Sequence, residues 1–173
     1  MHVKTGLIIG WLLCSTVQAD CLGITKDKAT AHLEAAALEF KVDPLLLHAM
    51  VVVESHFNNC AVSPAGASGL LQLMPKTAKA YDVQDVFDAR QNIRGATAYL
   101  AELIQEFEIP QLYLAAYNAG ETAVKRKGYI PNYTETRAYI RKVLKVYQDI
   151  AGISEYEAVQ LLTKKGKISY EYQ

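Results

Sequence analysis

A mainly α-helical single domain is predicted by three observations. Residues 44–53 form an almost wholly apolar helix signal, and apolar residues recur at three- and four-residue spacing in most other segments. The length left after an N-terminal leader suits one hydrophobic core and not two. Helices are therefore expected throughout, with at most a small β hairpin within residues 63–74.

The leader comes first. Lys4, the apolar run 6–13 and the small-residue stretch Val17-Gln18-Ala19 read as an export signal over residues 1–19. The run is too short to span a bilayer. Cys14 raises lipid attachment, but Leu13 occupies the place where such a site has a small residue. The remainder divides into a domain over 20–152 and a C-terminal tail over 153–173. Formal net charge is zero, so nothing global points to nucleic acid or a membrane surface. Lys125, Arg126, Lys127, Arg137, Arg141, Lys142 and Lys145 make the C-terminal third locally basic, as a solvated helix face would be, or one turned to an anionic wall polymer.

The mature chain keeps Cys21 and Cys60, and an even count in an exported protein suggests a disulfide between them. Closing a loop of about 40 residues is worth roughly 4 kcal/mol in the chain-entropy model. No CxxC and no spaced Cys/His cluster is present, and His32, His48 and His56 lack partners at ligand spacing, so neither metal nor cofactor is implied.

Between Thr25 and Phe40, Ala29, Leu33, Ala36, Ala37 and Phe40 form an apolar stripe opposite Lys26, Lys28, Glu34 and Glu39. Asp43 is a helix cap and Pro44 suits the first helical position. Of residues 45–53 only His48 is polar, so this helix belongs at the centre of the domain. Glu54 stands at its end. Desolvation and the negative end of the helix dipole, the latter worth roughly 0.3–1 kcal/mol, both push a carboxyl there up from its ordinary pKa. A turn-rich loop follows with Asn58, Asn59, Ser63, Pro64, Gly66, Ser68 and Gly69. Leu70, Leu71, Leu73 and Met74 then return to the core with Gln72 among them. A buried acid beside a loop whose backbone approaches closely outlines a cleft.

Pro75 opens a short helix to Tyr81, and a linker with Asp82, Asp85 and Asp88 leads to a long stripe of Ile93, Ala96, Tyr99, Leu100 and Leu103. Another helix starts near Pro110 and stops at Gly120. Residues 128–133 form a connection with Tyr129, Pro131 and Tyr133, aromatics of the kind that stack on sugar faces. Thr134 is a cap for a helix with Tyr139, Ile140, Val143, Leu144 and Tyr147 on one side. Glu135 opens that helix, where the dipole favours its charged form, which makes it a poor second general acid. Beyond Gly152, Ser154 and Glu157 form a capping box for a short helix to Leu162, broken by Lys164-Lys165-Gly166-Lys167. Residues 168–173 alternate weakly, as an edge strand or a tail would.

Four segments carry a resemblance: ESHFNNCAVSPAGASGLLQLMPKTA from 54, DARQNIRGATAYL from 88, LAAYNAG from 114 and IPNYTETRAYIRKV from 130. In this order they resemble the soluble lytic transglycosylases, lysozyme-like enzymes that cleave the glycan strand of peptidoglycan, over roughly residues 40–147. The resemblance implies a lysozyme-like fold and non-hydrolytic cleavage between N-acetylmuramic acid and N-acetylglucosamine, giving 1,6-anhydromuramoyl products. It places Glu54 at the catalytic position. Ser63 and Gln72 then bind or orient the sugar, Met74 forms an apolar wall, and Tyr117 and Asn118 line the cleft. Glu135 and Tyr139 lie beside the acid as orienting groups, with Tyr133 near the substrate. Leu71 and Cys60 depart from the usual pattern, the latter in keeping with a bridge to Cys21.

Two other functions share this outline. A water-using muramidase would need a second carboxylate to hold water, and a noncatalytic peptidoglycan-binding module would have no use for Glu54. Small members of this kind serve secretion, pilus or conjugation machines, so an envelope-spanning complex is a candidate partner of an exported, periplasmic monomer. No motif names one.

Overall fold

The computed structural model describes residues 24–165. Among them are eight helices and no named strand. Helix α1 (Lys26–Phe40) is capped by Thr25 Oγ1, which accepts from the Lys28 amide. Helix α2 (Pro44–Ser55) starts where Asp43 Oδ1 accepts from the Leu45 amide at 2.9 Å. The other Asp43 oxygen accepts from Tyr147 Oη at 2.8 Å, fixing the start of the central helix to the end of a distant one. Leu46, Leu47, Ala49, Met50 and Val51 are all buried, as a helix with no polar face requires.

The hairpin region reduces to two isolated antiparallel bridges, Val62 to Ser68 and Ser68 to Leu73. A short helix α3 (Pro75–Ala80) precedes α4 (Ala89–Phe107), whose N-cap is Asp88, bonded to the Gln91 amide at 2.7 Å. Gly95 lies against Val83, where a Cβ would collide with the valine side chain. Helix α5 (Pro110–Ala119) ends at Gly120, and an unforeseen helix α6 (Glu121–Lys127) starts at once. Helix α7 (Thr134–Ala151) takes Tyr133 as its N-cap, with no side-chain bond. Thr134, expected as the cap, is instead the first helical residue, because the chain leaves its extended conformation one position earlier. Helix α8 (Glu155–Lys165) begins with the expected capping box: Ser154 Oγ donates to Glu157 Oε2 at 2.7 Å and accepts from the Glu157 amide at 3.3 Å.

Helix α2 packs chiefly on α7 and also on α1, α1 lies along α4, and α5 touches α4, α6, α7 and α8. One apolar core results. The segment after Gly152, read from sequence as a tail, adds Ala158 and Leu162 to it.

Candidate active site

Glu54 occupies the last turn of α2, which ends as His56 turns into the left-handed region at φ 51°. Its carboxyl is pushed up from the ordinary 4.5 to about 7. Removal from water is the largest cause, and the negative charge of Glu135 on α7 adds to it, while Tyr139 acts the other way. The Tyr139 hydroxyl lies against the Glu54 carboxyl without completing a hydrogen bond of regular geometry, and it is fully enclosed. That contact favours the charged form. The balance leaves a group that exchanges its proton close to neutral pH, with both forms populated there.

Tyr117, the second aromatic beside Glu54, has its own pKa raised by burial and by that neighbouring carboxyl. Its hydroxyl donates to the Leu71 carbonyl at 2.8 Å, tying α5 to the loop. Its ring meets Tyr99 at 5.5 Å, and Tyr99 meets Tyr81 at 5.6 Å, so three tyrosines form a row leading away from the acid. Asn118 Oδ1 accepts from Thr136 Oγ1 at 2.8 Å, which leaves the Asn118 amide hydrogens to other partners.

Loop 56–74 is held by its own polar groups. Ser63 Oγ accepts from the Ala67 amide at 3.0 Å. Gln72 Nε2 donates to the carbonyls of Ala61 and Gly69 at 3.0 and 2.9 Å, with the Gln72 backbone at φ 48°. Met74 and Tyr133 are exposed, and Glu135 is exposed in the first turn of α7. Glu54, Glu135, Tyr117 and Tyr139 are thus brought together, whereas Ser63 and Gln72 brace the loop.

Asn92 went unnoticed in the sequence. It is fully buried on α4, its Oδ1 accepts from the Leu71 amide at 2.9 Å, and its Nδ2 donates to the carbonyls of Ser68 and Val86. Gly69 sits at φ 82° against it, and a Cβ there would strike both Asn92 and the Val86 carbonyl. Thr136 was missed too. Both residues stand on the apolar stripes of their helices, and a polar residue at a core position is the signal that finds them. Among the described residues no group of three or more His, Cys, Asp or Glu is placed to hold a metal ion.

Comparison with known proteins adds the family. A model of the transglycosylase SLT domain matches residues 32–140. The transglycosylase of enterobacteria phage PRD1 is 35% identical over 140 residues, which is 75% of this chain and 51% of that protein. A membrane-bound lytic murein transglycosylase F from Alkalilimnicola ehrlichii is 35% identical over 113 residues, or 57% of this chain and 23% of its own length. The chain therefore spans about half of the first of these relatives and about a quarter of the second. Among solved structures, an inactive glutamate-to-glutamine mutant of the lytic transglycosylase Slt from Pseudomonas aeruginosa matches at 28% identity and TM-score 0.63, covering 72% of this chain and 25% of that one. The 70 kDa soluble lytic transglycosylase of Escherichia coli matches at 26% identity and TM-score 0.59, with the same coverage. A helical core, a proton-holding glutamate at the end of its central helix and a match over residues 32–140 together make this chain a member of the transglycosylase SLT domain family.

Proposed function

We propose that this protein is a peptidoglycan lytic transglycosylase with Glu54 as its acid and base. The observation that carries the reading is a single enclosed carboxyl group whose pKa is pushed up to about 7, with its one acidic neighbour, Glu135, exposed at a helix start. Glycosidases with two working carboxylates hold the second ready as nucleophile or to activate water. Here the substrate supplies that role. Glu54 gives its proton to the oxygen between N-acetylmuramic acid and N-acetylglucosamine, and the bond from that oxygen to the muramic C1 breaks with help from the acetamido group. The carboxylate then takes the proton of the C6 hydroxyl as O6 bonds to C1. Glu54 ends protonated, and no water is consumed.

In this reading Tyr139 and Glu135 set the proton affinity of Glu54. Tyr117, Asn118, Tyr133 and Met74 face the sugars, and Ser63 and Gln72 shape the loop that receives them. The relatives named as murein transglycosylases support the substrate class, and the inactive relative carries the kind of exchange, glutamate to glutamine, that Glu54 invites. An exported, periplasmic monomer working with an envelope-spanning machine belongs to the same reading, supported by the leader signal of residues 1–19 and by the murein enzymes among the relatives.

The Cys21 to Cys60 bridge belongs to the same reading. Cys60 is unbridged among the described residues, and Cys21 lies outside them. Ile24 and Asn59, close to the two cysteines in sequence, line one pocket of about 370 Å³. Peptide mapping of the exported protein without reductant should recover the linked pair; two alkylatable thiols would refute it.

The activity is tested by incubating purified peptidoglycan with the protein and with Glu54→Gln. Release of soluble muropeptides by the first alone is expected. Equal release by both removes Glu54 from the chemistry, and binding without release by either favours a wall-binding module.

A further inference from the structure

A groove of about 530 Å³ runs along the seam between α2 and α7. Its floor is Val52, Val53, Ala138 and Val146. Its rim is Arg141, Lys142, Lys145 and His56. Glu54, Tyr117, Glu135 and Tyr139 are not among the residues that line it. The groove and the candidate active site lie on the same two helices and share no lining residue.

No carboxylate lines the groove, although the chain as a whole has formal net charge zero. Lys145 pairs with Asp149, one turn further along α7. Arg141 and Lys142 take part in no ion pair among the described residues. Two unpaired cations over an aliphatic floor suit a ligand that is both acidic and apolar. Such charges steer an oppositely charged partner on approach, and the apolar contact beneath holds it. A bilayer offers a plane of headgroups, which a concave seam between helices does not fit. Nucleic acid would meet the cations and leave the valines uncovered.

We propose that this seam docks an acidic, partly apolar segment of a partner protein. Its carboxylates lie on Arg141 and Lys142, with Lys145 at the far end, and its aliphatic side chains lie on Val52, Val53 and Val146. The inference does not depend on the catalytic reading.

The test uses a labelled peptide of alternating glutamate and leucine, a lysine–leucine peptide as control, and phosphatidylglycerol vesicles. The acidic peptide should bind the exported protein, shift the methyl resonances of Val52, Val53 and Val146, and weaken with salt. Arg141→Ser with Lys142→Ser should lower that affinity about tenfold or more while the fold, read by circular dichroism, stays unchanged. The charge-reversed pair Arg141→Glu with Lys142→Glu should instead take up the lysine–leucine peptide. Unchanged affinity in the serine variant overturns the proposal, as do methyl shifts confined to other valines. Vesicle binding through Arg141 and Lys142 without peptide binding overturns it in favour of a membrane surface.

Discussion

The proton affinity of Glu54 is a balance among three neighbouring influences, and each is open to mutation. Burial and Glu135 hold the proton on, and Tyr139 draws it off, leaving the group near 7. In the proposed reaction the acid form makes the first move, so kcat/KM should fall as pH rises through about 7. Glu54→Gln should lower turnover about a thousandfold or more, within the range a positioned acid–base group contributes. Stability falls in the same direction of pH. Between 4.5 and about 7 the native carboxyl binds a proton that the unfolded chain has lost, so stability falls as pH rises across that window. Glu54→Gln removes this dependence, and above pH 7 the variant should be the more stable protein, by on the order of 2–3 kcal/mol in denaturant melts. Tyr139→Phe takes away the one influence that lowers the pKa, so the alkaline limb of the rate profile should move upward. Because that hydroxyl has no regular hydrogen-bond partner, its loss should cost less than about 1 kcal/mol of stability. An alkaline limb that stays in place would show that Tyr139 does not touch the proton equilibrium.

At the scale of elements, loop 56–74 is held by a residue outside it. Asn92 on α4 satisfies the Leu71 amide and the Ser68 carbonyl, and Gln72 fastens the loop to itself. Asn92→Ala leaves those backbone groups unpaired in the interior and should cost about 3 kcal/mol, read as a lower denaturation midpoint, with the loss in kcat/KM exceeding the loss at any surface position on α4. Helices α1, α2, α4 and α7 were legible because their apolar residues recur with helical spacing or, in α2, fill every face. Helix α6 was not, since it is seven residues long with only Val124 buried, too short for a period to show. Proximity of Glu54 to Tyr139 and Glu135 is likewise invisible to spacing, because the α2–α7 contact joins segments about 80 residues apart. The resemblance of four ordered segments placed those residues together. The bracing roles of Ser63 and Gln72 emerge only from hydrogen bonds inside the loop.

The whole molecule closes over its core with α8, whose Ala158 and Leu162 are buried beyond the point where the family resemblance fades. The capping box was readable there, but a stripe of so few apolar residues did not announce that the helix packs. Leu162→Ala should cost about 2–4 kcal/mol, an effect that a true tail would not show in thermal or denaturant unfolding. The claim that joins all three scales is a fold that presents one protonated carboxyl group and leaves the rest of the reaction to the sugar. The most direct measurement is mass spectrometry of the muropeptides released from purified peptidoglycan by the protein. Products lighter by one water than hydrolysed muropeptides, ending in 1,6-anhydromuramic acid and absent with Glu54→Gln, are the predicted result. Fully hydrated products with reducing muramic acid ends would contradict the account and mark a hydrolase on the same fold.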